Sequence, residues 1–426
     1  MLEKKISVLN GVAIAISMVV GSGLFGLPGL AIKATDPVTA LIGWGVIILM
    51  MPTLIYVFSY LGQRYPSTDG VSLYASLGLG QWSKKGIMLV TCGTLVVGMP
   101  AFFLVGGSYI ARLLELDLSS WATPCAIILA IITTAINVAG VDKLGWVNKS
   151  VVVVVLVTAT LISVQSLPMA ISQYSGIQAE AFDHVSAPGI WMAASIVFWA
   201  FQGWENLTFG FGEIENPKRN IPLIYWLSFF FVALIYGVFS AVVSAAALKG
   251  MDVASLAGVA GLLPNTLIGK TMLIVMVLIL VANANSWVFG CSRAFYSAAR
   301  TGVLPQRITK TNAKGIPANS LIYALIAYIA VIIVMWRFSI SEQFCFLMTT
   351  QGFILLYGAA ILAFMKLSSG FINRAIGLLA ISCWSFLMHG FGWMIVYPFS
   401  LLLIGTVMDL RSQKQTGLTQ SRTREI

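Results

Sequence analysis

Apolar runs of about 20 residues recur along the whole of this 426-residue chain, and only 9% of its residues are charged. A helix needs about 20 predominantly apolar residues to cross a bilayer, whereas a soluble protein of this kind carries about 25% charged residues. So few charges cannot cover a surface that faces water. The sequence therefore predicts an all-α polytopic membrane protein that lies in a lipid bilayer.

About twelve transmembrane helices are expected, in one domain over residues 1–409, with a basic cytoplasmic tail at 410–426. The predicted spans are 10–33, 38–60, 82–113, 121–139, 144–165, 189–211, 222–247, 269–300, 318–337, 342–366, 373–389 and 391–409.

The basic residues that give the chain its net charge of +10 lie mainly at the ends of these spans, in the loops between them and in the terminal segments. Most Lys and Arg residues fall on the side of the N-terminus, and the opposite side holds only Lys33, Arg112, Lys249, Lys270 and Arg337. Cytoplasmic loops are rich in Lys and Arg. We therefore expect a multi-pass protein of the cell (inner or plasma) membrane with both termini in the cytoplasm, and no nucleic-acid partner.

Two of the predicted spans are interrupted by glycine and polar residues. The first contains GSGLFGLPG, residues 21–29, and the sixth contains FQGWENLTFGFGE, residues 201–213. Interrupted helices at corresponding positions of two halves are typical of transporters built on inverted repeats, whose binding site lies at the breaks. The positions predict discontinuous helices 1 and 6.

The first interruption offers both poles that an α-amino acid needs. Glycine at positions 21 and 23 lets the chain leave helical geometry and lets a ligand approach the backbone. Free N–H groups at Gly21, Ser22 and Gly23 would suit a carboxylate, and free carbonyls before them would suit an ammonium group or a small cation. Close helix packing through small residues is the alternative, but the second interruption favours a cavity.

Glu205 alone among the 15 acidic residues falls in the middle of a predicted span. Ionisable residues inside a membrane are costly and usually face a cavity or a partner. Glu205 could bind the coupling proton, or it could brace the unwound segment by accepting backbone N–H bonds.

Polar residues in span eight and two tryptophans near Gly203 are further candidates. Asn283, Asn285 and Ser286 could contact a cation or the substrate, or bond to neighbouring helices. Trp199 and Trp204 could cap a cavity, or merely pack.

Enzymatic chemistry is not expected. The two histidines, His184 and His389, are far apart in the sequence, and no GxxxxGK[ST] phosphate loop occurs. We therefore predict no catalytic residue, no cofactor and no metal site.

Three motifs in order resemble the amino acid–polyamine–organocation (APC) superfamily of secondary transporters. They are GSGLFGLPG, then FWAFQGWEN at 198–206 with ENPKRNIP at 215–222, and then SRAFYSAARTGVLP at 292–305 with KGIPANS after it. The resemblance implies a 5+5 inverted-repeat fold, with repeat one at about 10–165, repeat two at about 189–366 and two extra helices at about 373–409.

The resemblance also implies roles for individual residues. The substrate carboxylate is expected on the backbone of Ser22, Gly23 and Leu24, and its amino group near carbonyls around Ile16 and Phe198. Trp199 is similar to the aromatic gate of the family, and Glu205 to its helix-six carboxylate. The candidate substrate-binding residues are thus Ile16, Gly21, Ser22, Gly23, Leu24, Phe198, Trp199 and Gly203.

Two family coupling patterns are missing. Some members carry a lysine well inside helix five, but here Lys149 stands at its start and 151–160 has no basic residue. The sodium-using pattern has adjacent hydroxyls on helix eight, where only Ser286 stands beside Asn285. A proton acting through Glu205, or substrate exchange, is therefore expected, and sodium less so.

The expected substrate is a neutral, apolar L-amino acid, because no acidic residue besides Glu205 lies within a span and Arg293 stands near the cytoplasmic end of its own. The compact length resembles bacterial members of the superfamily that export such amino acids. The alternatives are a cationic amino acid or polyamine antiporter, and an amino acid sensor without flux. A channel is disfavoured because so few charges lie in the membrane.

Overall fold

The computed structural model describes residues 6–66, 70–140, 144–208, 211 and 214–424. This part of the chain is built almost entirely of helices, and its one isolated β-bridge joins Ile6 to Ile214. The predicted all-α architecture is confirmed. Four residues of the predicted break motif, 209, 210, 212 and 213, lie outside the described residues.

Eleven helices within the described ranges are long and apolar enough to cross a membrane. They are Val8–Ala34, Pro37–Arg64, Gln81–Leu113, Leu118–Ala139, Val153–Ser175, Pro217–Leu248, Leu267–Arg300, Ala318–Arg337, Glu342–Leu367, Phe371–His389 and Gly392–Arg411. The prediction of a polytopic membrane protein is confirmed. The span predicted at 189–211 appears only as a shorter apolar helix, Ala187–Phe201, because the chain unwinds where that span was expected to continue.

The first membrane segment consists of two helices. Helix α1 (Val8–Val19) begins at Ser7, whose hydroxyl accepts the N–H of Asn10, and α2 (Ser22–Ala34) follows after a two-residue break.

Six helices follow, and the last of them is the first part of the interrupted sixth membrane segment. They are α3 (Pro37–Arg64), α4 (Val71–Gly78), α5 (Lys84–Leu113), α6 (Leu118–Ala139), α7 (Leu144–Ser175) and α8 (Ala187–Val197). Helix α7 continues past the predicted end at residue 165 as far as Ser175, with Pro168 inside it.

The sixth segment is the second interruption. After α8 the chain tightens into a 3₁₀ turn, Phe198–Phe201, leaves helical geometry at Gln202 and Gly203, and resumes in the single turn α9 (Trp204–Leu207). The predicted discontinuity of helices 1 and 6 is therefore present.

The remaining helices complete the bundle. They are α10 (Pro217–Leu248), α11 (Leu267–Arg300), α12 (Ala318–Arg337), α13 (Glu342–Leu367), α14 (Phe371–His389) and α15 (Val396–Arg424), the last of which extends into the predicted tail. Several helices begin at side-chain caps. Asp36, for example, accepts the N–H groups of Val38 and Thr39 at 2.9 Å each, which satisfies donors that an uncapped helix start leaves free.

Helix α5 lies at the centre of the bundle, where it packs against α6, α11, α13 and α15. Helix α13 is the most buried span, whereas α14 and α15 bury few of their residues and lie at the periphery. This arrangement places α5, α11 and α13 around the two interruptions.

Two contacts tie distant parts of the chain together. The N–H of Glu215 donates to the carbonyl of Ile6 at 3.1 Å, next to the Ile6–Ile214 bridge, so the chain before α1 pairs with the chain after α9. Asp409 on α15 accepts the N–H of Lys85 at 2.6 Å, which holds the last helix against the start of α5.

Three ion pairs join helix ends on the side that the charge pattern places opposite the N-terminus. They are Lys33 with Glu342, Arg112 with Asp252, and Lys270 with Glu115, at 3.8, 3.8 and 2.8 Å. The Lys270 ammonium lowers the pKa of Glu115 by donating a hydrogen bond to its carboxylate. Exposed pairs of this kind contribute little to stability, but they group these loops on one side.

Candidate substrate-binding site

The break between α1 and α2 leaves backbone groups that side chains of other helices satisfy. The amide nitrogen of Asn283 donates to the carbonyl of Ser17 at 3.2 Å, and its amide oxygen accepts the N–H of Ser22 at 3.3 Å. The hydroxyl of Tyr236 donates to the carbonyl of Val19 at 2.9 Å. Unpaired backbone groups inside a membrane cost several kcal/mol, so α10 and α11 stabilise the break.

Glycine at position 21 makes the Asn283 contact possible. A Cβ atom there would overlap the carboxamide of Asn283. Any larger residue would therefore push α11 away from the break.

The second interruption lies directly against the first. Gly203 has φ +126°, a conformation that strongly favours glycine, and a Cβ atom there would be 2.9 Å from the carbonyl oxygen of Met18. One residue into α2, a Cβ atom at Gly23 would be 2.8 Å from Cα of Ala200. The two interrupted segments thus meet backbone to backbone.

Glu205 braces the second interruption. One carboxylate oxygen accepts the N–H of Gly203 at 3.1 Å and also the hydroxyl hydrogen of Tyr357 on α13. The other oxygen is buried and has no hydrogen-bond partner among the described residues. Glu205 does not line the cavity beside the breaks.

A cavity opens where the two interruptions face α5, α11 and α13. Its polar lining comes from Ser22, Thr94, Gln202, Asn283 and Thr349. Its other lining residues are Met18, Val19, Gly23, Leu95, Gly98, Met99, Phe102, Trp199, Trp287 and Phe353. No charged side chain belongs to this lining, so the cavity combines uncharged polar residues with apolar and aromatic walls.

A cavity at two helix breaks is the site expected of a secondary transporter. Comparison with known families gives the same result, because the amino acid permease family model matches residues 6–408. The chain belongs to the amino acid permease family. The predicted membership of the APC superfamily is confirmed, and the protein is a multi-pass membrane protein.

Relatives of this permease carry transporter names with different substrates. An L-methionine/branched-chain amino acid exporter of Escherichia coli (strain K12) is 23% identical, over 98% of this chain and 99% of that protein. A gamma-aminobutyric acid permease of Bacillus subtilis (strain 168) is 24% identical, over 86% and 80%. A putrescine transporter of Haemophilus influenzae is 22% identical, over 75% and 74%. These three relatives are thus named for the transport of amino acids or of a polyamine.

Four of the residues predicted from the sequence line the permease cavity. They are Ser22, Gly23, Trp199 and Asn283. Trp199 packs edge-on against Phe346, with 5.0 Å between ring centroids.

Other predicted substrate residues lie beside the cavity rather than in its wall. Gly21 and Gly203 form the two breaks. The carbonyl of Ile16 accepts the N–H of Val20 within α1, and the N–H of Leu24 donates to Gly21. The carbonyls of Met18 and Val19, two and three residues closer to the break than Ile16, belong to lining residues.

Phe198 and Trp204 point away from this cavity. The Phe198 ring packs edge-on against Tyr357 at 5.7 Å and lines a second, apolar cavity between α3, α13 and α14. Trp204 is fully buried beside Tyr225, which matches the packing alternative.

Two of the span-eight candidates lie outside the cavity wall. Asn285 accepts the amide N–H of Asn137 on α6 at 2.8 Å, and Ser286 donates to the carbonyl of Ala282 in its own helix at 3.1 Å. Neither lines the cavity. Of the three, Asn283 alone reaches it.

Several lining residues escaped sequence reasoning. Thr94 and Met99 come from α5, and Thr349 and Phe353 from α13, two spans without any break to mark them. Gln202 is also in the wall, and its side-chain nitrogen is buried without a hydrogen-bond partner among the described residues. A polar glutamine beside Gly203 was the one available signal.

Proposed function

We propose that this permease is a secondary active transporter of neutral, apolar L-amino acids, working by alternating access around its two interrupted segments. The observation that carries the proposal is the cavity at the breaks, whose lining combines uncharged polar residues with apolar ones and holds no charged side chain. Such a wall matches the two poles of a zwitterion and an uncharged side chain.

The substrate backbone would bind at the breaks. The N-terminal end of α2, at Ser22 and Gly23, suits the carboxylate through the positive end of the helix dipole. The carbonyls at the end of α1, those of Ser17, Met18 and Val19, suit the ammonium group, which moves the amino subsite from Ile16 toward the break. The side-chain nitrogen of Gln202, which has no hydrogen-bond partner among the described residues, adds a donor in the same wall.

The substrate side chain would lie among the apolar lining residues. Leu95, Met99, Phe102, Trp287 and Phe353 surround that space, and burial of each methylene contributes about 0.8 kcal/mol. A cationic side chain would meet no carboxylate there, because Glu205 lies behind the break. A cationic amino acid or polyamine remains the alternative, supported by the putrescine transporter among the relatives.

Glu205 is the proposed proton carrier, and exchange of substrates is the alternative. The buried oxygen without a partner among the described residues is where a proton could reside. Sodium is less favoured, because Asn285 bonds to Asn137 on α6, Ser286 bonds within its own helix, and neither residue lines the cavity. Trp199, in the cavity wall, is the proposed gate.

We place the permease in the cell (inner or plasma) membrane with cytoplasmic termini, because its Lys and Arg residues favour the loops on the side of the N-terminus. The match over 98% of the chain to an exporter of L-methionine and branched-chain amino acids supports export as the direction.

Counterflow in proteoliposomes tests the proposal. Vesicles are preloaded with one unlabelled amino acid at a time and offered trace label outside. Accumulation with methionine or leucine, but not with lysine or putrescine, is the expected result, and imposed pH and sodium gradients then identify the coupling ion. Accumulation with cationic substrates alone would support the alternative. Thermal stabilisation by amino acids without any accumulation would indicate a sensor instead.

A further inference from the structure

The carboxamide of Asn283 spans the first break with both of its polar atoms. Its oxygen accepts the N–H of Ser22, and its nitrogen donates to the carbonyl of Ser17. The side chain is 5% exposed and belongs to the cavity wall. It therefore connects the end of α1 to the start of α2 from a position that substrate can reach.

Each of these two contacts corresponds to one that an amino acid would make. The Asn283 oxygen stands in for a carboxylate oxygen at the start of α2, and its NH₂ group stands in for the ammonium group at the end of α1. From this geometry we infer that Asn283 is a displaceable latch, which occupies the amino acid backbone subsite while the permease is empty. This inference rests on the proposed function of the site.

The chemistry of the two hydrogen bonds suits a latch. Both, at 3.3 and 3.2 Å, join uncharged groups. A carboxylate forms charge-assisted bonds, which are about twice as strong as neutral ones. An amino acid can thus replace the carboxamide at both contacts. A single water molecule cannot reach both.

The latch has a consequence for the transport cycle. An empty permease with unpaired Ser17 and Ser22 backbone groups would carry the cost of polar groups left without partners in the membrane. With Asn283 bonded to both groups, the permease without substrate is stabilised, and its binding site can reorient to the other side of the membrane. Asn283 therefore permits net transport, while substrate exchange, in which the site is refilled, does not need it.

Hydrogen–deuterium exchange tests the latch without requiring transport. We expect Asn283→Ala and Asn283→Ser to raise the exchange rate of the backbone amides in residues 17–24 at least about threefold, since one net hydrogen bond corresponds to roughly a fivefold change. The control is Asn285→Ala, two residues away and bonded to α6, which should leave that segment unchanged. Unchanged exchange in both Asn283 variants would overturn the latch.

Binding and flux give the second readout. Removing a competitor of the substrate lowers its apparent Kd, so Asn283→Ala should bind methionine about three- to tenfold more tightly. It should retain exchange while losing most net efflux into substrate-free buffer. A weaker affinity would instead make Asn283 a direct substrate ligand, and equal losses of exchange and efflux would overturn the latch as well.

The two ideas fail in distinguishable ways. Wild-type vesicles that exchange no amino acid would refute the proposed function, whatever the Asn283 variants do. Wild-type exchange combined with unaltered amide protection in the Asn283 variants would refute the latch alone. Asn283→Ser provides a polar, smaller replacement in case Asn283→Ala does not fold.

Discussion

Gly203 lies against the main-chain oxygen of Met18, so closely that a Cβ atom at position 203 would be 2.9 Å from that oxygen. The contact joins the two interrupted segments at the points where each leaves helical geometry. A shift of either break therefore disturbs the other.

Substitution of Gly203 by alanine should abolish transport and lower the thermal stability. Its φ of +126° costs a non-glycine residue about 1–3 kcal/mol, and the contact with Met18 adds a clash. Gly370→Ala is the matched control, because Gly370 has φ +96° but open space around it. If both variants lose melting temperature and transport equally, backbone strain alone explains the effect and the contact between breaks is unimportant.

Gly23→Val should weaken substrate binding more than tenfold, a loss of about 1.4 kcal/mol. A side chain there would crowd the proposed carboxylate position and press on Ala200. Gly26→Val, on the same helix, would crowd Val105 at 2.9 Å without facing the cavity. Affinity measured for both variants distinguishes the two effects. Normal methionine affinity in Gly23→Val would remove the carboxylate site from α2.

Glu205→Gln should abolish the pH dependence of transport while leaving part of the substrate binding. Glutamine can still accept the bonds from Gly203 and Tyr357, so the brace persists while the titratable group is lost. Initial uptake rates across a pH series provide the measurement. pH-dependent uptake that persists in this variant would contradict the proton role.

Tyr357→Phe tests the brace separately, because it keeps the carboxyl group but removes one of its donors. We expect a loss of about 1–3 kcal/mol of stability, seen as a lower melting temperature, with the pH dependence of transport retained. An unchanged melting temperature would show that this bond does not hold the break.

Trp199→Ala should slow exchange at least tenfold while changing methionine affinity less than threefold, since a gate acts on closure rather than on binding. Phe346→Leu, which removes the ring packed against Trp199, should reproduce part of the defect. Trp204→Phe, outside the cavity, is the control. A parallel loss of affinity and rate in Trp199→Ala would make this residue a substrate contact instead.

The membrane spans and both breaks could be predicted from the sequence because each has a local signal. Hydropathy marks a span wherever about 20 apolar residues follow one another, and glycines at 21, 23 and 203 mark the breaks. Hydropathy alone did not show how short the sixth helical segment is, because apolar residues such as Trp204, Leu207 and Phe211 continue after Gly203 among the polar ones.

The cavity wall could be predicted only in part. Ser22, Gly23 and Trp199 lie next to the breaks, so position along the chain was enough to suggest them. Thr94 and Thr349 come from uninterrupted helices, and which of their faces meets the breaks depends on helix packing. The same limitation applies to α11, where Asn283 and Asn285 are two residues apart and therefore face different neighbours.

The pairing of Ile6 with Ile214 gives the two interrupted segments a shared end. A backbone hydrogen bond from Glu215 to Ile6 fastens the chain before α1 to the chain after α9. The contact between Gly203 and Met18 is a second attachment, so α1 and α9 are joined at two points. We therefore expect α1 and α9 to tilt together as one rigid body. Opening on the side of the N-terminus would then be a single movement.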